Sequence, residues 1–157
     1  MNKIIKKFSY QTPVGRLYIS ENDGKICRVS YSDDVLAEVC KTDLIEETNR
    51  QLSQYFLGER RYFDIPLLLE GTEFQKKVWK ALSTIGFGQT VSYKDVAQMI
   101  NCPKAYRAVG NANNKNNIMI IIPCHRVVGN NGRLIGYAGG LNIKKYLLDF
   151  EQKQLNK

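Results

Sequence analysis

Ser92-Tyr93-Lys94-Asp95-Val96-Ala97-Gln98-Met99-Ile100, then Asn101-Cys102-Pro103, then Lys104-Ala105-Tyr106-Arg107-Ala108-Val109-Gly110-Asn111-Ala112-Asn113, is the stretch that decides the fold. Ser92 is an N-cap residue type, and Asp95 in the following turn suits the positive end of a helix dipole, so a helix is predicted over residues 93–100. Asn101 and Cys102 make the turn. Pro103 stands where a first helical residue belongs, and the second helix then runs to about residue 113. Its inward positions are Ala105, Val109 and Ala112, at i, i+4 and i+7, which leaves Tyr106, Arg107 and Lys115 toward solvent or a partner. The pair reads as a helix-turn-helix, a motif that is also common as plain structure. Ala105, Ala108, Gly110 and Ala112 make the second helix slim, although Gly110 costs about 1 kcal/mol relative to alanine. Small residues permit either a close approach to DNA or tight helix packing.

Charge favours DNA binding by the helix pair. Residues 1–70 hold 10 Lys and Arg against 11 Asp and Glu, whereas residues 71–157 hold 13 against 4, so the second half carries the whole formal excess of +8. Clustered cations most often neutralise phosphate, and double-stranded DNA is the expected partner. The composition, 43% hydrophobic and 24% charged over 157 residues, is that of an ordinary globular chain. The start carries Lys3, Lys6 and Lys7 but no apolar run suited to a signal peptide or a membrane span, so an intracellular, cytoplasmic protein is expected. Cys27, Cys40, Cys102 and Cys124 are far apart, with His125 the only histidine, so neither a zinc site nor a disulfide framework is expected.

Toward the N-terminus, Thr72-Glu73-Phe74-Gln75 is a Thr-x-x-Gln capping box opening a helix. Phe74, Val78, Ala81, Leu82 and Ile85 form its apolar face, with Trp79 beside it, and Gly86 and Gly88 end it. The domain boundary is set at Glu70-Gly71, giving domains 1–70 and 71–157. In the first, residues 15–20 and 25–31 read as strands joined by an Asp23-Gly24 hairpin. Residues 35–57 read as two helical pieces stopped by Gly58, and residues 62–69 are β-like. The fold class is therefore α+β: a small N-terminal α/β domain with an antiparallel sheet, then a mainly helical domain with a winged-helix-like helix-turn-helix.

Toward the C-terminus, Ile118-Met119-Ile120-Ile121-Ile122 reads as a buried strand. It ends at Pro123-Cys124-His125-Arg126, a cysteine beside the only histidine and on the basic half. The thiolate is the nucleophile, and a thiol of pKa ~8.5 needs a base or a cation to ionise at neutral pH. In extended chain His125 would face away from Cys124, so contact requires a turn or a bridging water. A carboxylate to orient the imidazole is available from Asp149 or Glu151 on a final helix over residues 143–152. Such a set would equally suit a cysteine hydrolase.

Residues 72–151 closely resemble the C-terminal domain of the O6-alkylguanine-DNA alkyltransferases. The resemblance is carried by Phe74-Gln75, Val78-Trp79, Thr90-Val91-Ser92-Tyr93, Arg107-Ala108-Val109-Gly110, Ile122-Pro123-Cys124-His125-Arg126-Val127, Gly136-Tyr137 with Gly139-Gly140, and Leu147-Leu148 before Glu151. The N-terminal part matches loosely, around Thr12-Pro13-Val14-Gly15 before the first strand. The resemblance implies single-turnover repair, with the alkyl group of O6-alkylguanine, and also of O4-alkylthymine, moving to Cys124 after the base is flipped out. It implies that His125 is a water-linked general base oriented by Glu151, and that Asn116 bonds backbone around the cysteine turn. Tyr93 would hydrogen-bond the guanine and crowd its phosphate, and Arg107 would enter the base stack. Lys104, Ala105, Tyr106 and Arg126 join these two as expected DNA contacts. Val127, Tyr137, Ala138 and, near the alkylated oxygen, Lys144 would line the pocket. No metal, cofactor, membrane or obligate protein partner is implied, and a monomer is expected; the zinc ligands of certain relatives are absent. The chain departs from the family at turns: Ile85-Gly86 for Ile-Pro, Asn101 for Gly, Asn116-Asn117 for Asn-Pro, and Ala138 for a serine.

Overall fold

Asp23 and Gly24 both take positive φ, 54° and 77°, the backbone of a type I′ turn whose twist matches that of the strands it joins. In this computed structural model, which describes residues 4–157, the turn links β2 (Gly15–Asn22) to β3 (Lys25–Ser30). The terminal residues 1–3, including Lys3, lie outside the described residues. A strand not expected from the sequence, β1 (Lys6–Thr12), pairs antiparallel with β2, so Thr12-Pro13-Val14-Gly15 is the hairpin between them and does not precede the first strand. The short β4 (Glu38–Val39) adds in parallel to β1, giving the order β3-β2-β1-β4. One helix, α1 (Asp43–Phe56), replaces the two expected pieces. Thr42 caps it by accepting from the Ile45 N–H at 3.1 Å. Ile45, Leu52 and Tyr55 are buried with Leu17, Ile19, Ile26 and Val29 of the sheet, the core of this unit.

Two β-like segments are not strands. In residues 62–69 the backbone of Asp64 is taken by the side chain of Gln51, through N–H to Oε1 at 2.9 Å and Nε2 to C=O at 3.1 Å, and only Leu67 bridges Ile26. In the run from Ile118, the sole ladder contact is one bridge to Val29, closed by Val29 N–H to Asn117 C=O and Met119 N–H to Val29 C=O, each 2.9 Å. Ile120 then takes φ +70°, a left-handed conformation that ends any strand and is strained for a β-branched residue.

The chain divides into two compact units, residues up to Glu70 with Asn117–Met119, and Gly71–Asn116 with Ile120–Lys157. The second contains α2 (Glu73–Leu82), α3 (Tyr93–Met99), α4 (Tyr106–Asn114) and α5 (Leu141–Leu155), with β5 (Val91–Ser92) parallel to β6 (Val127–Val128). Thr72 with Gln75, and Ser92 with Asp95, form complete capping boxes on α2 and α3. Val78, Leu82, Ile85, Val96, Val109, Ala112, Ile122, Val127 and Leu147 make the core. Trp79 packs there and donates its indole N–H to the Ala112 carbonyl at 2.9 Å.

The helix-turn-helix differs from expectation at its turn. Asn101 N–H bonds the Gln98 carbonyl and Cys102 N–H the Ala97 carbonyl, with Asn101 at φ +60°, a Schellman closure of α3. Glycine would take this conformation without strain. Because Cys102 is used in that closure, α4 begins at Tyr106 with Ala105 as its N-cap, and Pro103 lies in the turn instead of the first helical position. The Gly110 position faces Tyr93, 3.8 Å from an added Cβ, an ordinary van der Waals distance, so packing alone does not require glycine there.

Two substitutions test these backbone assignments by urea unfolding. Asn101→Ala is expected to lose about 1–2 kcal/mol, the cost of the left-handed backbone, while Asn101→Gly holds its stability. Gly110→Ala, with ordinary van der Waals room, is expected to gain up to about 1 kcal/mol.

Candidate functional site

Pro123, with φ −81° and ψ 61°, makes an inverse γ-turn in which the Cys124 N–H bonds the Ile122 carbonyl at 2.8 Å. One turn of 3₁₀ helix, Cys124–Arg126, comes next, before β6. The chain therefore turns at the cysteine, and Cys124 and His125 are not opposed as neighbours in a strand are. Asn116, itself buried, holds the turn by donating Nδ2–H to the Ile122 carbonyl at 2.8 Å. Its side chain also favours the ionised form of the Cys124 sulfur.

Glu151 on α5 is the acid partner of His125, at 2.8 Å between Nε2 and Oε2. Asp149 instead pairs with Lys145 at the surface. Arg126 approaches the same carboxylate with two parallel bonds, Nε to Oε1 at 2.9 Å and Nη2 to Oε2 at 3.0 Å, the fork geometry that suits arginine. The Gly88 N–H donates to Oε1 at 3.0 Å, and Arg126 Nη1 donates to the Ile85 carbonyl at 2.6 Å. His125 and Glu151 are fully buried, and Arg126 is 5% exposed. Arg126, expected among the DNA contacts, is thus turned inward with its guanidinium engaged. The sequence marks the loop 85–88 only as the end of a helix. The two glycines were its signal, since Gly88 needs φ +77° to bring its amide to the carboxylate.

Burial pushes the Glu151 carboxyl up, but the bonds from His125 and Arg126 outweigh it and hold the group below the usual carboxylate range. Burial lowers His125, and Glu151 only partly offsets this. The imidazole is therefore neutral in this environment. An ionised carboxylate can only accept, so Nε2 carries the proton and Nδ1 is left as the bare acceptor. Nδ1 is buried and has no hydrogen-bond partner among the described residues.

Cys124 is 3% exposed. Burial pushes its thiol up to about 11, against the lowering influence of Asn116 and Lys144. Lys144, also buried, donates to the carbonyls of Val127, Ile135 and Gly136 at 2.6, 2.9 and 3.2 Å. Burial brings it down to about 8, opposed by Cys124. Its ammonium is thus engaged with backbone, where the sequence suggested an open pocket wall. Val127 is buried beside it, Tyr137 is half-buried and Ala138 exposed. Tyr93 is half-buried and donates its hydroxyl to the Ile135 carbonyl at 2.9 Å; burial and then Cys124 raise its pKa. Lys104, Tyr106 and Arg107 are exposed and Ala105 half-buried, all at the start of α4. No group of three or more potential metal-binding side chains occurs among the described residues.

Residues 73–153 match the family described as "6-O-methylguanine DNA methyltransferase, DNA binding domain", and residues 5–69 match its "ribonuclease-like domain". A methylated-DNA--protein-cysteine methyltransferase of Methanosarcina barkeri is 45% identical over 151 residues, covering 92% of this chain and 96% of the relative. The constitutive one of Bacillus subtilis is 43% identical over 152 residues, covering 90% and 92%. Among solved structures, the Mycobacterium tuberculosis OGT in complex with DNA aligns with TM-score 0.88 and 39% identity, over 96% of this chain and 93% of that one. Such agreement, over nine-tenths or more of the chain in sequence and in fold, assigns it to the 6-O-methylguanine DNA methyltransferase family.

Proposed function

We propose that the chain repairs alkylated double-stranded DNA by moving the alkyl group from O6 of guanine, and from O4 of thymine, onto its own Cys124. The observation that carries this reading is the buried Glu151–His125 pair, which leaves Nδ1 of a neutral imidazole as a proton acceptor one residue from the thiol. The thiol is protonated at rest. His125 takes its proton, through a water where the two do not touch, and the sulfur attacks the alkyl carbon in line as the carbon–oxygen bond breaks. The electron pair of that bond leaves with the guanine oxygen and is stabilised by a hydrogen-bond donor, a role assigned to Tyr93. That hydroxyl must first turn from the Ile135 carbonyl. A thioether results, and no neighbouring group hydrolyses it, so each molecule acts once.

The alkyl carbon is sheltered within the duplex, and extruding the nucleotide costs a few kcal/mol. Arg107, exposed on α4, would fill the gap, with Lys104 and Tyr106 beside it. Val127, Tyr137 and Ala138 would border the extruded base. Asn116 and Lys144 act by holding the turn and the loop at residues 135–136. The protein works as a monomer with no cofactor, and its site of action is the cytoplasm. Among the described residues no helix is long and apolar enough to cross a membrane.

Weighing the intact protein after incubation with a duplex carrying O6-methylguanine tests the activity. A gain of one methyl at Cys124 is expected, with none in Cys124→Ser; unchanged mass, or repeated turnover, contradicts the proposal. The resting thiol is testable separately. A thiol whose pKa is raised by folding stabilises the fold while protonated, fully below its unfolded value near 9 and progressively less as pH rises through about 11. The wild type is expected to lose on the order of 3 kcal/mol over this window relative to Cys124→Ser in unfolding experiments. Lys144, lowered to about 8, acts with the opposite sign; the difference between the two proteins removes its contribution except for the part that its coupling to Cys124 supplies.

A further inference from the structure

Tyr106 opens α4 with 36% of its surface exposed, and its neighbours Ala105 and Ala108 are small. Lys94 Nζ, from the first turn of α3, lies 5.4 Å from the centre of its ring. Arg107 Cζ lies 5.9 Å from the same centre. One exposed ring therefore gathers a cation from each helix of the helix-turn-helix. Neither cation has a carboxylate partner among the described residues, and the first turn of α4 contains no acidic residue.

An arginine that must enter a duplex faces a difficulty on an exposed helix, because fixing its long side chain costs rotamer freedom, about 2 kcal/mol if all of it is lost. A salt bridge would order it but would occupy the donors needed for DNA. A ring face orders the guanidinium through its quadrupole and leaves the N–H groups free. We propose that Tyr106 is a positioning residue for Arg107, a cation–π seat that pre-orders the guanidinium for entry into the base stack. The proposal rests on the proposed repair function, in which Arg107 replaces the extruded nucleotide. Lys94, a like charge on the same ring, keeps the seat loose, so that contact of Lys94 with phosphate and release of Arg107 into the duplex go together.

The test compares Tyr106→Phe, which keeps the ring, with Tyr106→Leu, which keeps apolar bulk but has no aromatic face. Single-turnover alkyl transfer is measured from a duplex carrying O6-methylguanine and from the free base O6-benzylguanine, which needs no duplex opening. Tyr106→Leu is expected to lower the ratio of duplex to free-base rate by about two- to five-fold, the worth of an exposed cation–π contact. Tyr106→Phe is expected to restore the wild-type ratio. In an Arg107→Ala background, Tyr106→Leu is expected to add no further loss. An unchanged ratio in Tyr106→Leu, equal losses in the Phe and Leu variants, or a full additional loss without Arg107 would each overturn the proposal while leaving the activity standing. A wild type that takes no alkyl group from either substrate would overturn the functional reading, and this proposal with it.

Discussion

An ionised carboxylate in the interior needs donors on every side, and Glu151 has them from two segments that meet its own helix: the 3₁₀ turn and the loop at residues 85–88. Taking a charge out of water costs several kcal/mol even after relaxation, and only a pair with excellent geometry offsets that cost. The fork of Arg126 supplies this geometry. Once Glu151 is held as an acceptor, the tautomer of His125 is set, and Nδ1 is its basic nitrogen. Gln152 extends the tie, donating to the Gly88 carbonyl at 2.6 Å. The proposed chemistry at Cys124 therefore depends on a charge buried from solvent.

The basic character of residues 71–157 divides into two uses. Arg126 and Lys144 are buried, and the remaining eleven of the thirteen cations are exposed or half-buried. The buried pair is structural: one neutralises Glu151, the other crosslinks three carbonyls around the cysteine. The exposed majority leaves an excess at the surface, where it can attract phosphate through water and is weakened by salt.

Capping and turn chemistry made much of the fold legible in advance. Thr72, Ser92 and Asp23-Gly24 act locally, through bonds spanning three residues or fewer, so their outcome is written beside them. The final helix was placed correctly but ends later, at Leu155, because ends carry less pattern than middles. The apolar run at Ile118–Ile122 misled, because composition cannot report the left-handed Ile120 that interrupts it. Asn101 was visible as a departure from glycine, and its φ gives the reason. At the site, the residues alone left Asp149 and Glu151 open as partners of His125, the resemblance pointed to Glu151, and the inward turn of Arg126 was not legible. An arginine on a basic half looks like a phosphate ligand until a distant carboxylate is known to lie beside it. The Ile85, Gly88 and Ile135 backbone groups were invisible for the same reason, since a main-chain amide carries no letter of its own.

Under the proposed transfer to Cys124, the near-complete burial of that residue would also shape the fate of the alkylated molecule. A sulfur in a residue that shows 3% of its surface to solvent has little space reserved for an extra carbon. Crowding a well-packed interior by one such group strains it by about 1–3 kcal/mol, a large share of the stability of a chain this size. A spent molecule would therefore open more often than a fresh one, and the cell's proteases would meet used copies first.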